Sequence, residues 1–138
     1  MDRALLEFAE CAMLVHDEKA LRDLFECHLQ QLGFDRFAYL VLRWPDGSLA
    51  PQAVTTYPME WARRYAEQNY INRDQVVPTA AASIMPFDWR AINLENEGQR
   101  RVFNEAGEYG IRNGITVPLH GPGGALAAAM VLPAYATR

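Results

Sequence analysis

Hydrophobic residues in the first quarter of the chain recur at helical spacing. Over residues 3–15, apolar side chains return every three or four positions, which predicts a first helix. Asp17 is suited to cap a second helix, because its carboxylate can accept backbone N–H groups that the first turn leaves unbonded. We expect this second helix to end at Gly33, since glycine readily takes the left-handed conformation of a helix C-terminus.

The pattern then changes to that of extended chain. Phe37–Leu42 is a short apolar run of strand length, and Pro45-Asp46-Gly47 has the composition of a turn. Ala50–Thr56 can return as an antiparallel partner, with Pro51 at its start or edge. These three segments predict a β-hairpin.

The rest of the chain predicts further helices and a second hairpin. Pro58 suits the first turn of a helix, and the segment from His120 to Gly124 suits a tight turn between two strands. The expected elements are helices over 58–69, 74–82 and 99–109, an extended segment over 86–89, and strands over 115–119 and 126–132.

This order of elements predicts an α+β fold. We expect an antiparallel sheet of about five strands with helices packed on both faces, an α-β-α sandwich like that of PAS and GAF sensors. Half of the 138 residues are hydrophobic, which is enough to build the core of one domain over 1–138. The longest apolar stretch, 125–136, is too short to span a bilayer and no signal peptide is recognisable, so a cytoplasmic location is expected.

The charge of the chain argues against binding to nucleic acid. The formal net charge is −4, whereas phosphate contacts depend on clustered Lys and Arg. The densest basic groups, Arg63-Arg64 and Arg100-Arg101, are flanked by Glu and are interpreted as solvated helix faces. No segment is left over for a helix-turn-helix motif, and we expect no DNA-binding domain in this chain.

Residues with catalytic or metal-binding chemistry are scattered. His16, His28 and His120 lack the spacing of metal ligands, and no glycine-rich phosphate loop or nucleophile motif is present. Cys11 and Cys27 both fall in apolar helical patterns and are expected to be buried free thiols. The sequence therefore predicts a protein that is not an enzyme and carries no cofactor or metal.

The middle of the chain is dense in aromatic residues with polar tips. Tyr and Trp combine a large apolar body with one hydrogen-bonding group, and ligand pockets need apolar walls with a few placed polar groups. Any one of these aromatics taken alone is better interpreted as an ordinary core residue. As a group they favour a pocket, because an apolar core does not need so many polar tips beside an acid. The cluster comprises Tyr57, Trp61, Tyr65, Tyr70, Asp74 and Trp89.

The segment from Tyr57 to Tyr65, with the following Tyr70 and Asp74, resembles the autoinducer-binding domain of LuxR-type quorum-sensing regulators. Similar spacing continues to the end of the chain, so the resemblance covers nearly all of it. Further matching positions are Leu32-Gly33-Phe34, Trp89, Phe103, Glu105-Ala106, Gly110, Gly114 and the run from Thr116 to Pro122.

The resemblance implies an N-acyl-homoserine lactone as ligand. It assigns the indole N–H of Trp61 to the lactone carbonyl, the Asp74 carboxylate to the amide N–H, and the Tyr57 hydroxyl to the amide carbonyl. These roles are chemically complementary, since Trp only donates, ionised Asp only accepts and a phenol does either. The site residues implied by the resemblance are Tyr57, Trp61, Tyr65, Asp74, Val76, Trp89, Phe103, Ile111, Thr116 and Met130.

The sequence departs from the family pattern in three places. Gln75 replaces a proline after Asp74, which predicts a looser turn. Met130 stands where several members have a small hydroxyl residue, which predicts a changed acyl-chain preference, with volume offset by Ala127, Ala128 and Ala129. The chain stops soon after its last strand, whereas full receptors continue into a DNA-binding domain.

Three hypotheses remain open at this point. The first is a non-enzymatic lactone receptor, for which a homodimer and a heterodimer with a full-length LuxR-type regulator both stay open. The second is an interaction module or antiactivator that heterodimerises with a full-length LuxR-type regulator. The third is a sensor of an unrelated small molecule on a similar scaffold, because a fold does not determine its ligand.

Overall fold

The computed structural model describes residue 3 and residues 17–49 and 52–133. Apart from residue 3, the expected first helix over 3–15, with Cys11, lies outside the described residues, and so does His16. The α-helices of the described part are α1 (Glu18–Gln31), α2 (Met59–Glu67), α3 (Val76–Ala82) and α4 (Glu97–Glu108). Its strands are β1 (Phe34–Arg43), β2 (Gln52–Thr55), β3 (Phe87–Asp88), β4 (Ile115–His120) and β5 (Leu126–Pro133), and short 3-10 turns occur at Tyr70–Asn72, Trp89–Ala91 and Pro122–Gly124.

Local sequence sets the ends of the longer helices. The Asp17 carboxylate accepts the backbone N–H of Ala20 at 2.7 Å, so it caps α1 as expected. Gly33 follows the C-terminus of α1 with φ of +91°, a conformation that side chains with a Cβ rarely adopt. Asn96 caps α4 in the same way, through the backbone N–H of Gln99.

The sheet has five strands in the order β2-β1-β5-β4-β3, and every neighbouring pair is antiparallel. The two hairpins expected from the sequence are therefore joined through β5, which pairs with β1 on one side and β4 on the other. β1 is longer than the expected run of Phe37–Leu42, because pairing with β5 extends it to Phe34 and Arg43.

Helices cover both faces of the sheet, which confirms the predicted α+β architecture. On one face, the Phe25 ring of α1 lies 6.0 Å from the Phe37 ring of β1. On the other face, Ala38 packs in one buried cluster with Ala80 of α3. Leu132 packs beside α2 and α4 in a second cluster on that same face. No helix in the described ranges is long and apolar enough to cross a membrane.

Two expectations about side-chain positions are wrong. Cys27 is exposed rather than buried. It lies two positions after Phe25, which is about 200° around the helix, and Phe25 is the residue that faces the sheet. The three alanines of β5 do not all border the pocket as expected. Ala127 and Ala129 lie on the face of the sheet opposite to Ala128, because side chains alternate along a strand.

Candidate functional site

A cavity of about 400 Å³ lies between the sheet and helices α2, α3 and α4. Its wall is mostly apolar, and the size is typical of a small-molecule pocket. It lies where the two buried clusters meet, since Tyr57 and Trp89 pack against both. Of the ten residues expected at the site, nine line this cavity: Tyr57, Trp61, Tyr65, Asp74, Val76, Trp89, Phe103, Ile111 and Met130.

Thr116 is the exception, and it lies behind the wall rather than in it. Its side chain is completely buried, and its hydroxyl accepts the indole N–H of Trp89 at 2.7 Å. Thr116 pairs with both Phe87 and Met130 in the sheet, so its side chain lies next to the end of β3, where Trp89 begins. Thr116 therefore orients the wall residue Trp89 and does not itself line the cavity.

Trp89 is also held by a close contact with the backbone of Gly114. Its backbone N–H donates to the Gly114 carbonyl at 2.9 Å. A Cβ at Gly114 would lie 2.7 Å from two atoms of the indole ring, which real structures do not tolerate. The Phe103 ring meets the indole edge-on at 6.1 Å. Trp89 is thus a rigid wall of the cavity.

Asp74 places a carboxylate on the cavity wall directly after a tight turn. Its backbone N–H donates to the Tyr70 carbonyl at 2.8 Å. Its Oδ2 accepts the Tyr65 hydroxyl at 2.7 Å, and its Oδ1 accepts the Val76 backbone N–H at 3.0 Å. Burial raises the pKa of this carboxyl, and the two hydrogen bonds oppose that rise. Because each oxygen has further lone pairs, Asp74 can accept another donor from the cavity.

Tyr57 places a second polar group, its hydroxyl, on the same wall. Its oxygen is buried and makes no hydrogen bond to any described residue. Burial, and then the nearby Asp74, raise the pKa of this phenol, so it stays neutral and keeps its proton to donate. A buried hydroxyl without a partner costs roughly 1–3 kcal/mol. A polar ligand atom in the cavity would remove this cost.

A second layer of polar contacts supports the aromatic wall from behind. The Tyr70 ring packs 6.0 Å from the Trp61 ring and 6.3 Å from the Tyr65 ring. The buried Tyr70 hydroxyl donates to Glu105, and Arg64 donates to the other oxygen of Glu105 at 2.8 Å. Arg64 remains partly exposed, as expected for a solvated helix face, and its ion pair with Glu105 joins α2 to α4. Sequence reasoning missed the contact between Tyr70 and Glu105 because Glu105 lies 35 positions from Tyr70.

The substitution Glu105→Gln is expected to weaken this support in a pH-dependent way. Hydrogen bonds from Tyr70 and then Arg64 lower the pKa of Glu105. A carboxyl whose pKa is lower in the folded state than in the unfolded state stabilises the fold at pH values above the unfolded-state pKa of about 4.3. This stabilisation is lost as the pH falls through the folded-state pKa. We expect the free energy of unfolding of the variant to be lower by on the order of 1 kcal/mol at pH 7.

Urea unfolding of both proteins between pH 3 and pH 7 measures this difference. The gap between wild type and Glu105→Gln should shrink below pH 4 or so, as Glu105 of the wild type takes up its proton. Glu97→Gln is the matched control, because Glu97 is highly exposed and its ion pair with Arg100 spans 3.7 Å. A gap that stays constant with pH would contradict the proposed role of the Glu105 charge.

Gln75 does not loosen the turn that presents Asp74. Its φ of −69° is close to the value that proline would impose. Its side-chain oxygen accepts the amide of Gln99 in α4 at 2.9 Å, and its carbonyl accepts the Thr79 hydroxyl at 2.7 Å. Contacts with α3 and α4 hold the turn where the family pattern has a proline ring.

The cavity wall offers a ligand apolar surface and a few hydrogen-bonding groups. No group of three or more His, Cys, Asp or Glu side chains in the described ranges could hold a metal ion. His120 lies at the rim of the sheet, with its Nε2 2.6 Å from the Ser83 carbonyl. An apolar cavity with one carboxylate acceptor and one phenol donor matches a ligand with a polar head and a long apolar body.

The family model for the autoinducer-binding domain matches residues 17–137 of this chain. The chain belongs to the autoinducer-binding domain family. This family comprises ligand-binding domains of LuxR-type transcriptional regulators rather than enzymes, and it senses ligands in quorum sensing. The cavity described above is therefore the candidate autoinducer site.

Curated relatives of this autoinducer-binding domain are transcriptional activator proteins. ExpR of Dickeya dadantii is 35% identical over 104 residues, which cover 72% of this chain and 40% of ExpR. AhyR of Aeromonas hydrophila is 30% identical over 128 residues, which cover 87% of this chain and 48% of AhyR. The chain thus spans less than half the length of these relatives.

Solved structures confirm the fold of the autoinducer-binding domain. CepR2 of Burkholderia cenocepacia, described as an N-acylhomoserine-lactone-dependent LuxR-family factor, superposes with a TM-score of 0.80 at 21% identity. That match covers 94% of this chain and 76% of CepR2. SdiA in complex with octanoyl-rac-glycerol superposes with a TM-score of 0.74 at 22% identity, over 97% of this chain and 56% of SdiA.

Proposed function

We propose that this domain senses an N-acyl-homoserine lactone bound in the cavity between the sheet and helices α2 to α4. The observation that carries the proposal is the buried Tyr57 hydroxyl, which lacks a partner among the described residues and lines the same apolar cavity as the Asp74 carboxylate. A lactone-amide head offers two carbonyl acceptors and one N–H donor. These groups complement the donors of Tyr57 and Trp61 and the acceptor of Asp74 on the cavity wall.

Each polar group of the ligand then has one partner. The Tyr57 hydroxyl donates to the amide carbonyl, and the Asp74 carboxylate accepts the amide N–H. The Trp61 indole N–H donates to the lactone carbonyl. Tyr65 keeps the carboxylate in place through its 2.7 Å hydrogen bond, so the acceptor is already oriented before the ligand arrives. Such preorganisation strengthens binding because fewer side chains lose freedom in the complex.

The acyl chain occupies the apolar part of the same cavity. Side chains from the sheet and from α3 form this part, among them Leu40, Leu42 and Val77. Each methylene transferred from water into this wall contributes about 0.8 kcal/mol. Because the ligand fills the space between sheet and helices, binding stabilises the fold: a ligand at a hundred times its dissociation constant adds about 2.7 kcal/mol.

Thermal unfolding with a panel of ligands tests the proposal. We expect N-octanoyl-L-homoserine lactone at saturation to raise the midpoint temperature of unfolding by roughly 10 °C. This value follows from the ligand-dependent stabilisation of about 2.7 kcal/mol and the usual relation between free energy of unfolding and midpoint temperature. Octanoyl glycerol is the informative comparison, because SdiA has been solved with octanoyl-rac-glycerol. A larger shift with the glycerol ester would favour an acyl-glycerol sensor. No shift with any lactone from butanoyl to dodecanoyl would refute the proposal.

The substitution Tyr57→Phe is expected to affect the empty and the ligand-bound protein in opposite directions. Without ligand, removing a buried hydroxyl that has no partner in the described part of the chain should leave stability unchanged or raise it by up to about 1 kcal/mol. With ligand, the amide carbonyl loses its donor, so lactone affinity should fall by about tenfold, or about 1.4 kcal/mol. Urea unfolding with and without N-octanoyl-L-homoserine lactone measures both effects.

Tyr39→Phe is the matched control for Tyr57→Phe. It removes the same hydroxyl from a partly exposed tyrosine on the opposite face of β1. Lactone affinity should not change in this control. A Tyr57→Phe protein that is clearly less stable without ligand, yet binds the lactone normally, would show that the Tyr57 hydroxyl has a structural role instead.

A further inference from the structure

The start of α4 packs against the turn that carries Asp74. A Cβ at Gly98 would lie 3.5 Å from the Cδ of Arg73, so the backbone of α4 passes close to the residue before Asp74. One position further along α4, the side-chain amide of Gln99 donates to the side-chain oxygen of Gln75 at 2.9 Å. This hydrogen bond is partly buried and joins residues 24 positions apart. Both chain neighbours of Asp74 therefore lie against the start of α4.

Local hydrogen bonds orient the Gln99 side chain toward Gln75. Its Oε1 accepts the backbone N–H of Glu95 at 2.7 Å. Because a backbone N–H group only donates, this contact decides which end of the carboxamide carries the oxygen, and it leaves the Nε2 group to donate to Gln75. Asn96, the N-cap of α4, accepts the Gln99 backbone N–H at 2.9 Å. Gln99 is thus an oriented donor at the start of a capped helix.

Gln75 connects Asp74 to α3. It is the N-cap residue of α3, and its carbonyl accepts the Thr79 hydroxyl at 2.7 Å. No carbonyl in the described ranges accepts its backbone N–H. Among the described residues, the hydrogen bond from Gln99 is the one that ties Gln75 to an element other than its own helix. Without this bond, the turn and the Asp74 carboxylate would be freer to move relative to the cavity.

We propose that the hydrogen bond between Gln75 and Gln99 positions the Asp74 carboxylate for the amide N–H of the ligand, an inference that rests on the proposed function. Tyr65 holds the carboxylate from α2, and Gln99 holds the next residue from α4. The acceptor is thus fixed between two helices that flank the cavity. A hydrogen bond weakens steeply when donor and acceptor are misaligned. Gln75 and Gln99 are positioning residues, and neither belongs to the described cavity wall.

Two ligands that differ in one group measure this positioning. The first is N-octanoyl-L-homoserine lactone, and the second is its ester analogue, in which an oxygen replaces the amide N–H. The 138-residue chain is incubated with equal concentrations of both, in excess over the protein, and the retained ligands are quantified by mass spectrometry after gel filtration. Because the ester cannot donate to Asp74, the retained amide-to-ester ratio reports on the placement of the carboxylate. We expect a wild-type ratio of about ten or more.

Two substitutions of Gln75 separate restraint of the turn from the loss of a contact. Gln75→Leu removes the hydrogen bond to Gln99 and should lower the amide-to-ester ratio about fivefold, or by about 1 kcal/mol. Gln75→Pro removes the same bond but imposes a φ close to the observed −69°. It should therefore keep the wild-type ratio to within about twofold. Gln99→Leu should lower the ratio as Gln75→Leu does, and should have no effect when combined with Gln75→Pro.

Gln30→Leu is the matched control, because Gln30 is exposed on α1, which packs on the other face of the sheet. Its ratio should equal that of the wild type. The two leucine variants at positions 75 and 99 break one bond from either side, so one that folds is enough for the test. A wild-type ratio in that variant overturns the inference and leaves the proposed function intact, even if both ligands bind more weakly, since a merely structural role would weaken them equally.

The remaining outcomes are equally decisive. A Gln75→Pro ratio as low as that of Gln75→Leu overturns the positioning role, because restraint of the turn would then not be what matters. A wild-type protein that retains amide and ester equally overturns the pairing of Asp74 with the amide N–H, and with it the inference. Retention of neither ligand by the wild type overturns the proposed function as well.

Discussion

Asp74→Asn is expected to abolish the response to lactone while the empty domain remains folded. The Oδ1 of asparagine can still accept the Val76 backbone N–H, and the Tyr65 hydroxyl can turn to accept from the new amide. The oxygen that Tyr65 contacts, however, becomes an N–H₂ group, so a ligand N–H directed at that side of the side chain meets a donor. Two donors facing each other cannot bond, and the charge-assisted hydrogen bond is lost.

The expected loss in affinity for N-octanoyl-L-homoserine lactone is a hundredfold or more, or about 2.7 kcal/mol. Burial raises the pKa of Asp74, which means that the ionised form is disfavoured in the folded protein. The neutral asparagine avoids this cost, so the empty variant should be within about 1 kcal/mol of the wild type in stability. Ligand-dependent thermal shift and urea unfolding measure the two quantities separately.

Asp88→Asn is the matched control for Asp74→Asn. It removes the same charge from a carboxylate that pairs with Arg90 and does not line the cavity. The Arg90 guanidinium holds the pKa of Asp88 at about 2, so this residue is ionised under all working conditions. Normal lactone affinity is expected for Asp88→Asn. Normal affinity for Asp74→Asn as well would remove the carboxylate from the proposed recognition of the head group.

Gly114→Ala is expected to lower both stability and ligand affinity, although it adds a single methyl group. The new Cβ would overlap three atoms of the Trp89 indole at 2.7–2.8 Å. A flat ring cannot yield as the end of a flexible side chain does, so Trp89 must shift away from the Gly114 backbone. That shift stretches its 2.7 Å hydrogen bond to Thr116, whose hydroxyl is completely buried.

Overpacking of this kind costs roughly 1–3 kcal/mol, to which the weakened Trp89–Thr116 hydrogen bond adds. The displaced indole also moves into the cavity that it borders, so lactone affinity should fall with stability. Urea unfolding and the ligand-dependent thermal shift follow the two effects. Trp fluorescence should report the changed surroundings of the ring.

Gly107→Ala is the matched control, because the same methyl group meets nothing within 4 Å at that position. Gly107 lies within α4, where alanine is favoured over glycine by about 1 kcal/mol. We therefore expect Gly107→Ala to stabilise the domain and leave lactone affinity unchanged. A Gly114→Ala protein as stable as the wild type would show that the sheet adjusts around the methyl group.

The sequence determined the features that depend on neighbours along the chain. Asp17 and Gly33 mark the two ends of α1 through local hydrogen bonding and local backbone conformation, and both were predicted. Trp61 and Tyr65 share a helix face at a spacing of four, and their rings lie 5.8 Å apart. The α+β architecture also followed from the order of helical and extended patterns, since each apolar face needs a partner layer.

Only the tertiary structure decided which distant residues meet. Trp89 and Thr116 are 27 positions apart, and Arg64 and Glu105 are 41 apart. The pairing order places β5 between β1 and β4, and no local pattern encodes that order. Strand register then decided that Ala128 lines the cavity while Ala127 does not, because a shift of one residue turns a side chain to the other face.

The same division holds for the candidate site. Residue types identified Tyr57, Trp61 and Asp74, because their donors and acceptor complement a polar head group. The structure alone showed that the Tyr57 hydroxyl lacks a partner among the described residues, that Thr116 orients Trp89, and that Tyr70 is anchored by Glu105. Hydrogen-bond satisfaction depends on the distance between atoms that folding brings together. The chemistry of the site is therefore readable in the sequence, whereas its support is set by tertiary packing.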